Sequence, residues 1–425
     1  MPSANGSFPS ARLPERLQCV LRRLDRWADA AFPIAIAMLC LDARYPAYVI
    51  LLLWLIWRLL LQLDRHPLVA IFLLLLGAQA GQFVLERDLQ PSSVSDPLVI
   101  ALGFVAMVGR QDRQWRDTLR WLSLCTFPLL VWSIGQDPGQ PLQLPVAGIN
   151  RLGFLLGFLQ LACWSSACLA TRWWSRCVFG ALAVGCLPML FHNGSRVAIL
   201  APGLAVFFAF AFALWLRNQW LPMSWQFLLA WRHPILIGIC ALLLSSGLVV
   251  VQRWYLDPSV AMEQIRSNAS ENVLSDRGRV ETALCWARQP LRRGEEKFLL
   301  GLGHNEKVQR YCDARRVPSM RLMGRPEGLP HAHNLFAQIF AENGLLGVLS
   351  LGSVFALLAR QAWMTVGLGP TSTAHRFLFS IPLLVYLALN AGVSSFQLFM
   401  MSNQLLVGLG LASLWPARPV DGDVG

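Results

Sequence analysis

The chain has 425 residues, of which 55% are hydrophobic and 14% charged, with 17 tryptophans and a mean hydropathy of +0.48. A soluble domain carries about 25% charged residues, so there is too little polar material to cover a globule of this size in water. The net charge of +12 is no sign of nucleic-acid binding, because no basic run carries the interleaved aromatics of a single-strand binder.

In chain order, the apolar runs predict an all-α integral membrane protein. The tail at 1–28 holds Arg12, Arg16, Arg22, Arg23 and Arg26, which run straight into the first span without a separate signal peptide. Runs close to the roughly 20 residues needed to cross a bilayer then fall at 29–42, 45–62, 67–85, 97–109, 117–134, 152–170, 173–191, 197–216 and 234–252. These nine make up the region 29–252. A long polar segment follows at 253–332. Three more runs, at 333–358, 376–392 and 395–415, make up the region 333–415, and a tail at 416–425 closes the chain. About twelve transmembrane helices are therefore expected, those at 29–42 and 97–109 short enough to be tilted, re-entrant or differently bounded. No repeat with a period of about 20–50 residues is visible.

Lysine and arginine favour the cytoplasmic side of short loops. With both termini cytoplasmic, 18 of the 36 basic residues lie on that side, and the short external loops hold only Arg44, Arg87, Arg151 and Arg196. The other 14 lie beside 10 acidic residues in 253–332. That segment is too long for a typical connector and too polar for a span, so it is the expected functional insert. The ten cysteines show no metal-ligand spacing, and most fall in spans as small buried hydrophobes. Cys285 and Cys312 share the external segment, where an oxidising compartment would allow a disulfide between them.

Within that segment, LSDRGRVETALCWARQ places Val280, Ala283, Leu284 and Ala287 at helical spacing. Ser275 or Asp276 is a candidate cap, which puts Arg277 and Arg279 at the helix start, a favourable place for a phosphate. The plainer reading, in which these arginines snorkel to headgroups or pair with Asp276 and Glu281, stands beside it. Arg196, in FHNGSRVAIL, is the one cation of a very short external loop, and its Gly-Ser context allows close approach.

The stretch LPHAHNLFAQIFAENGLLGVL, 329–349, sets two histidines at the mouth of an apolar helix. Asn334, Gln338 and Glu342 are four residues apart and form one polar stripe. Intramembrane polar groups face a bundle interior or a cavity, so the stripe is expected to point inward. Pro330 predicts entry into the helix near His331–Asn334, with His331 and His333 at the outer boundary. A lone histidine is more often structural. A second histidine two residues away, an adjacent amide able to fix a tautomer and the inward stripe favour a general base, which imidazole suits near neutral pH. There is no P-loop, GxSxG elbow or HExxH. Nor does the outer face show the carboxylate cluster of a metal-dependent sugar transfer, so neither metal nor cofactor is expected.

His333-Asn334, followed by nine residues and then Gly344-Leu345-Leu346-Gly347, resembles the His-Asn-x9-Gly-x-x-Gly signature of the bacterial O-antigen ligase family. Arg196-Val197-Ala198-Ile199-Leu200 is similar to that family's Arg-x3-Leu. The resemblance covers most of the chain in architecture and about 30 residues in motif. Relatives show Ser-Gly-Arg with a tryptophan one turn later, whereas here Trp286 follows Arg279 by seven residues, so both Arg277 and Arg279 remain candidates.

The resemblance implies a GT-C-like membrane glycosyltransferase of the bacterial inner membrane, with its active site facing the periplasm. The implied reaction moves O-antigen polysaccharide from an undecaprenyl-pyrophosphate-linked donor to a lipid A-core acceptor, without metal and with inversion. His333 would be the general base. Arg196 and Arg279, with Arg277 and Arg44, would hold the pyrophosphate, while His331, Asn334 and Gln338 would support them. An O-antigen polymerase or a protein O-oligosaccharyltransferase of the same superfamily would use similar groups. A lipid-linked sugar transporter would explain the spans but not an 80-residue external segment with paired arginines. The end of the chain soon after the last span favours the ligase over protein-glycosylating relatives with a larger soluble C-terminal part.

Overall fold

A computed structural model describes residues 27–61, 91–107, 112–136, 142–145, 149–193, 200–207, 277–303, 305–313, 315–317, 331–367, 379–393 and 401–413. The described residues are helical, with no strand among them. In chain order the helices are α1 (Ala31–Cys40), α2 (Arg44–Leu61), α3 (Pro91–Met107), α4 (Asp112–Leu124), α5 (Thr126–Ile134), α6 (Ile149–Leu169) and α7 (Trp173–Asn193). Then come α8 (277–291), α9 (Glu295–Leu300), α10 (Asn305–Tyr311), α11 (Leu335–Gly367), α12 (Ile381–Val393) and α13 (Met401–Ser413).

Among the described residues, three helical stretches are long and apolar enough to cross a membrane, Arg151–Leu169, Trp173–Asn193 and Leu335–Gln361. Of their apolar windows, 72% is buried in the first but only 39% and 35% in the others. α6 is thus a central helix, while α7 and α11 turn apolar flanks outward. Val49, Leu52, Leu53 and Ile56 of α2, and Leu346 and Leu349 of α11, are likewise exposed. Contiguous apolar surface of this kind, on helices that satisfy their own backbone hydrogen bonds, suits lipid as solvent.

The expected span at 29–42 yields a helix of only ten residues, about 15 Å long against a hydrocarbon core of about 30 Å. The expected span at 117–134 is broken at Cys125 between α4 and α5. Pro128 explains the break, since it has no N–H to give to the Leu124 carbonyl one turn back. The expected spans at 67–85 and 234–252, and most of 197–216, lie outside the described residues.

Helix contacts follow the placement of small and polar residues. α3 and α13 cross where Gly103 meets Leu405 and Gly408 meets Ile100 and Phe104 backbone. A methyl group on Gly408 would collide with the Ile100 carbonyl, the close approach that small residues give membrane helices. Tyr386 of α12, fully buried, donates its hydroxyl to the Phe154 carbonyl of α6 (2.9 Å) and ties the C-terminal helices to the central one. Where α1, α2 and α4 meet, Asp29 and Arg58 form an ion pair at 2.6 Å, with side chains only 2% and 4% exposed. Trp54 Nε1 donates to the same Asp29 oxygen (2.9 Å) and the Thr118 hydroxyl to the other (2.7 Å).

The polar segment has its own small core. Trp286 of α8, Leu302, Val308, Cys312 and Val317 are buried together with Ala332 and Ala341. The last two flank and follow the paired histidines, so this core is shared with the start of α11.

Candidate active site

His333 has a left-handed backbone, with φ of 53°. Among non-glycine residues this conformation is uncommon, and His, Asn and Asp tolerate it best. Such strain persists where the surroundings over-determine it. Here Ala332 on one side is completely buried, and Asn334 on the other is the cap of α11, its Oδ1 accepting the Ala337 N–H (2.9 Å). The chain therefore enters the helix at Leu335, one residue past the expected window. The side-chain oxygen of Asn334 is thus used to start the helix. The rings of His331 and His333 stand edge to face with centroids 5.9 Å apart.

The polar stripe forms as the four-residue spacing predicts. The Gln338 N–H bonds the Asn334 carbonyl (3.0 Å), and Gln338 Nε2 donates to Glu342 Oε1 (2.9 Å). All three side chains are half-buried.

Directly after the stripe the helix breaks. Gly344 has φ 63° and ψ −159° inside α11, a region open essentially to glycine alone. The break is filled by residues 295–303 of the polar segment. α9 ends against it, the Leu302 N–H bonds the Ala341 carbonyl (2.8 Å), and the Gly303 N–H bonds the Glu342 carbonyl (3.1 Å). Phe298 and Phe340 meet edge to face, with centroids 5.9 Å apart. Any side chain on Gly344 would strike the Leu299 carbonyl, and one on Gly301 the Glu342 backbone. Gly344→Ala is expected to destabilise the protein by about 1–3 kcal/mol from backbone conformation alone, with further loss from the overlap. Thermal unfolding of the purified variant, beside Gly352→Ala where nothing lies within 4 Å, measures this.

The predicted arginines separate. Successive helical residues turn by about 100°, so Arg277 and Arg279 leave α8 about 200° apart, on nearly opposite faces. Arg277 is exposed and gives its Nε to Glu281 (2.8 Å). Arg279 is half-buried and lies on the face of Thr282 and Trp286, both fully buried. Trp286 thus carries Arg279, two turns away, on a helix whose core is shared with Ala332. Arg44 pairs with Asp42 (3.3 Å) and donates to the Pro145 carbonyl (3.3 Å). The loop containing Pro145 is tied to the end of α7, since the Leu142 N–H bonds the His192 carbonyl (3.0 Å) and Asn193 Nδ2 bonds the Leu142 carbonyl (2.7 Å). Arg196 follows that end by three residues but lies outside the described residues. Among the described residues no three His, Cys, Asp or Glu side chains gather so as to hold a metal ion.

Cys285 and Cys312 are joined by a disulfide, with Cα atoms 5.9 Å apart. It links α8 to the end of α10 inside the core that holds Ala332. Closing 27 residues of chain stabilises a fold by about 3 kcal/mol in the chain-entropy description. Cys312→Ser is expected to lower the stability of the polar segment by about 2–4 kcal/mol. Limited proteolysis between residues 277 and 317, with and without reductant, checks this, and unchanged cleavage would count against a structural bridge.

The candidate site has an imidazole held in a strained backbone at a capped helix start and a hydrogen-bonded amide and carboxylate one and two turns further along the helix; the helix that carries Arg279 shares its core with Ala332. No protein-family model matches the chain, and no curated protein matches it at a significant level.

Proposed function

We propose that the protein is a membrane-embedded glycosyltransferase that uses a lipid-pyrophosphate-linked glycan as donor. Within that class, the reading supported best is O-antigen ligase, with lipid A-core as acceptor, in the bacterial inner membrane with the site on the periplasmic side. The observation that carries it is His333, held at φ 53° by buried Ala332 and by the Asn334 cap, at the head of the His-Asn-x9-Gly-x-x-Gly run.

On this reading an acceptor sugar hydroxyl attacks the anomeric carbon of the donor while His333 takes the hydroxyl proton. The bond between that carbon and the pyrophosphate oxygen breaks, and the lipid pyrophosphate leaves with the electron pair. Attack opposite the leaving group inverts the anomeric centre. A sugar hydroxyl is far too weak an acid to ionise unaided near neutral pH, so a base is needed. Arg279 and Arg196 stabilise the departing charge by charge-assisted hydrogen bonds, and Arg44 extends that positive wall. Arg277, committed to Glu281, is the weakest member of the set.

In-vitro transfer by the purified full chain is the test, with a defined undecaprenyl-pyrophosphate glycan and three acceptors offered separately. Transfer to lipid A-core, undiminished in excess EDTA, is the expected result. Transfer only to a second lipid-linked glycan, or only to a serine- or threonine-bearing protein, would replace ligase by polymerase or protein glycosylation. Donor movement across proteoliposomes without a new glycosidic bond would overturn the enzyme reading.

A further inference from the structure

A cavity separate in its lining from the histidine region lies beside α4. A pocket of about 850 Å³ opens between the start of α1, α4 and the first turns of α7. α4 is strongly two-sided. Trp115, Thr118, Leu119 and Leu122 are buried, whereas Arg116 and Arg120, one turn apart, line the pocket. Arg120 is partly offset by Asp117 (3.1 Å), and among the described residues Arg116 has no carboxylate partner. The lining is also aromatic, with Trp27 and Trp121 packed at a centroid distance of 5.4 Å. Leu124 and Phe179 add apolar surface.

The cationic rim is held firmly in place. Thr118, between the two arginines, donates to buried Asp29, which Arg58 and Trp54 also hold. Asp29 follows Trp27 by two residues, so one buried network sets both walls of the pocket. Trp173 and Trp174, at the start of α7, are 76% and 50% exposed, and with Trp27 they supply the amphipathic rings typical of a membrane–water interface.

We infer that this pocket binds the headgroup of an anionic phospholipid, its phosphate on Arg116 and Arg120 and the upper part of an acyl chain along Leu124 and Phe179. A free phosphate would use the arginines but leave the aromatic and apolar walls idle. Basic pockets between helices at the cytoplasmic surface are the common form of headgroup site, and the charge bias of the loops puts this margin on that side. The inference rests on the membrane character of the chain and not on the ligase reading, and its test needs no glycan.

The test is lipid retention by the purified full chain, measured by native mass spectrometry after equilibration with phosphatidylcholine and phosphatidylglycerol in equal amounts. The wild type is expected to retain phosphatidylglycerol preferentially. Arg116→Gln with Arg120→Gln is expected to reduce that preference about fivefold per arginine, from about 1 kcal/mol per basic residue near an anionic surface. The double Lys variant should keep most of it. Asp117→Asn, at a half-buried residue outside the Asp29 network, should raise the preference, which keeps the question answerable if the double variants fold poorly. A preference unchanged by both the Gln pair and Asp117→Asn would overturn the site, as would inorganic phosphate alone displacing the lipid completely at moderate ionic strength.

Discussion

His333→Ala is expected to lower glycan transfer by about 10²- to 10⁴-fold, the range for loss of a positioned general base, with the protein present at its normal level in the membrane. His331→Ala should cost much less, because its ring meets that of His333 edge to face and would orient it rather than take the proton. A further variant separates catalysis from architecture. His333→Gly removes the left-handed strain at φ 53°, so it should raise thermal stability by about 1 kcal/mol while abolishing transfer. A purely structural histidine would behave oppositely, with transfer surviving in the glycine variant. Polysaccharide-capped lipopolysaccharide in cells, and unfolding of the purified variants, give the two readouts. Full loss with His331→Ala and near-normal transfer with His333→Ala would move the base by two residues.

The second large effect is expected far from the histidine. Asp29 and Arg58 are buried together at 2.6 Å, and Asp29 also accepts from Trp54 and Thr118. Removing either charge alone leaves the other uncompensated in a low-dielectric interior, a loss of about 3–5 kcal/mol. Arg58→Met and Asp29→Leu are each expected to fail to accumulate or to unfold at much lower temperature. The double variant should be markedly more stable than either single one, because replacing both partners by apolar groups is often neutral. A double-mutant cycle of unfolding free energies measures the coupling. Additive losses would show that the two charges do not depend on one another.

How much of this was legible in the residues varies with the range of the interaction. The membrane character follows from composition, and the stripe of Asn334, Gln338 and Glu342 from helical spacing, both local properties. The opposite directions of Arg277 and Arg279 are also implicit in a two-residue offset on a helix. The break at Gly344 was not legible. Glycine marks a place where backbone can be unusual, but read along the chain the helix looks continuous and the glycine looks like a packing site for a neighbouring helix. Its actual partner, Leu299–Gly303, lies more than forty residues earlier, and no periodicity announces such a pairing. The Asp29–Arg58 pair escaped for the same reason. Each residue reads alone as the polar end of a span, and only the packing of α1 against α2 shows that they face inward. Arg196 lies outside the described residues, so its place rests on the Arg-x3-Leu match.

The seam at Gly344 also bears on the order in which the molecule is assembled. A helix interrupted at that point leaves the Ala341 and Glu342 carbonyls without partners of their own, and the N–H groups of Leu302 and Gly303 take them. Those donors leave the ribosome before α11 does. The small fold of α8, α9 and α10 shares its core with Ala332 and Ala341, so it and the half-helix Leu335–Asn343 complete one another, the earlier segment supplying the donors and the later one the acceptors. A chain shortened by deletion of this segment would not be a minimal catalyst lacking a lid. It would be a protein whose histidine-bearing helix has no way to end.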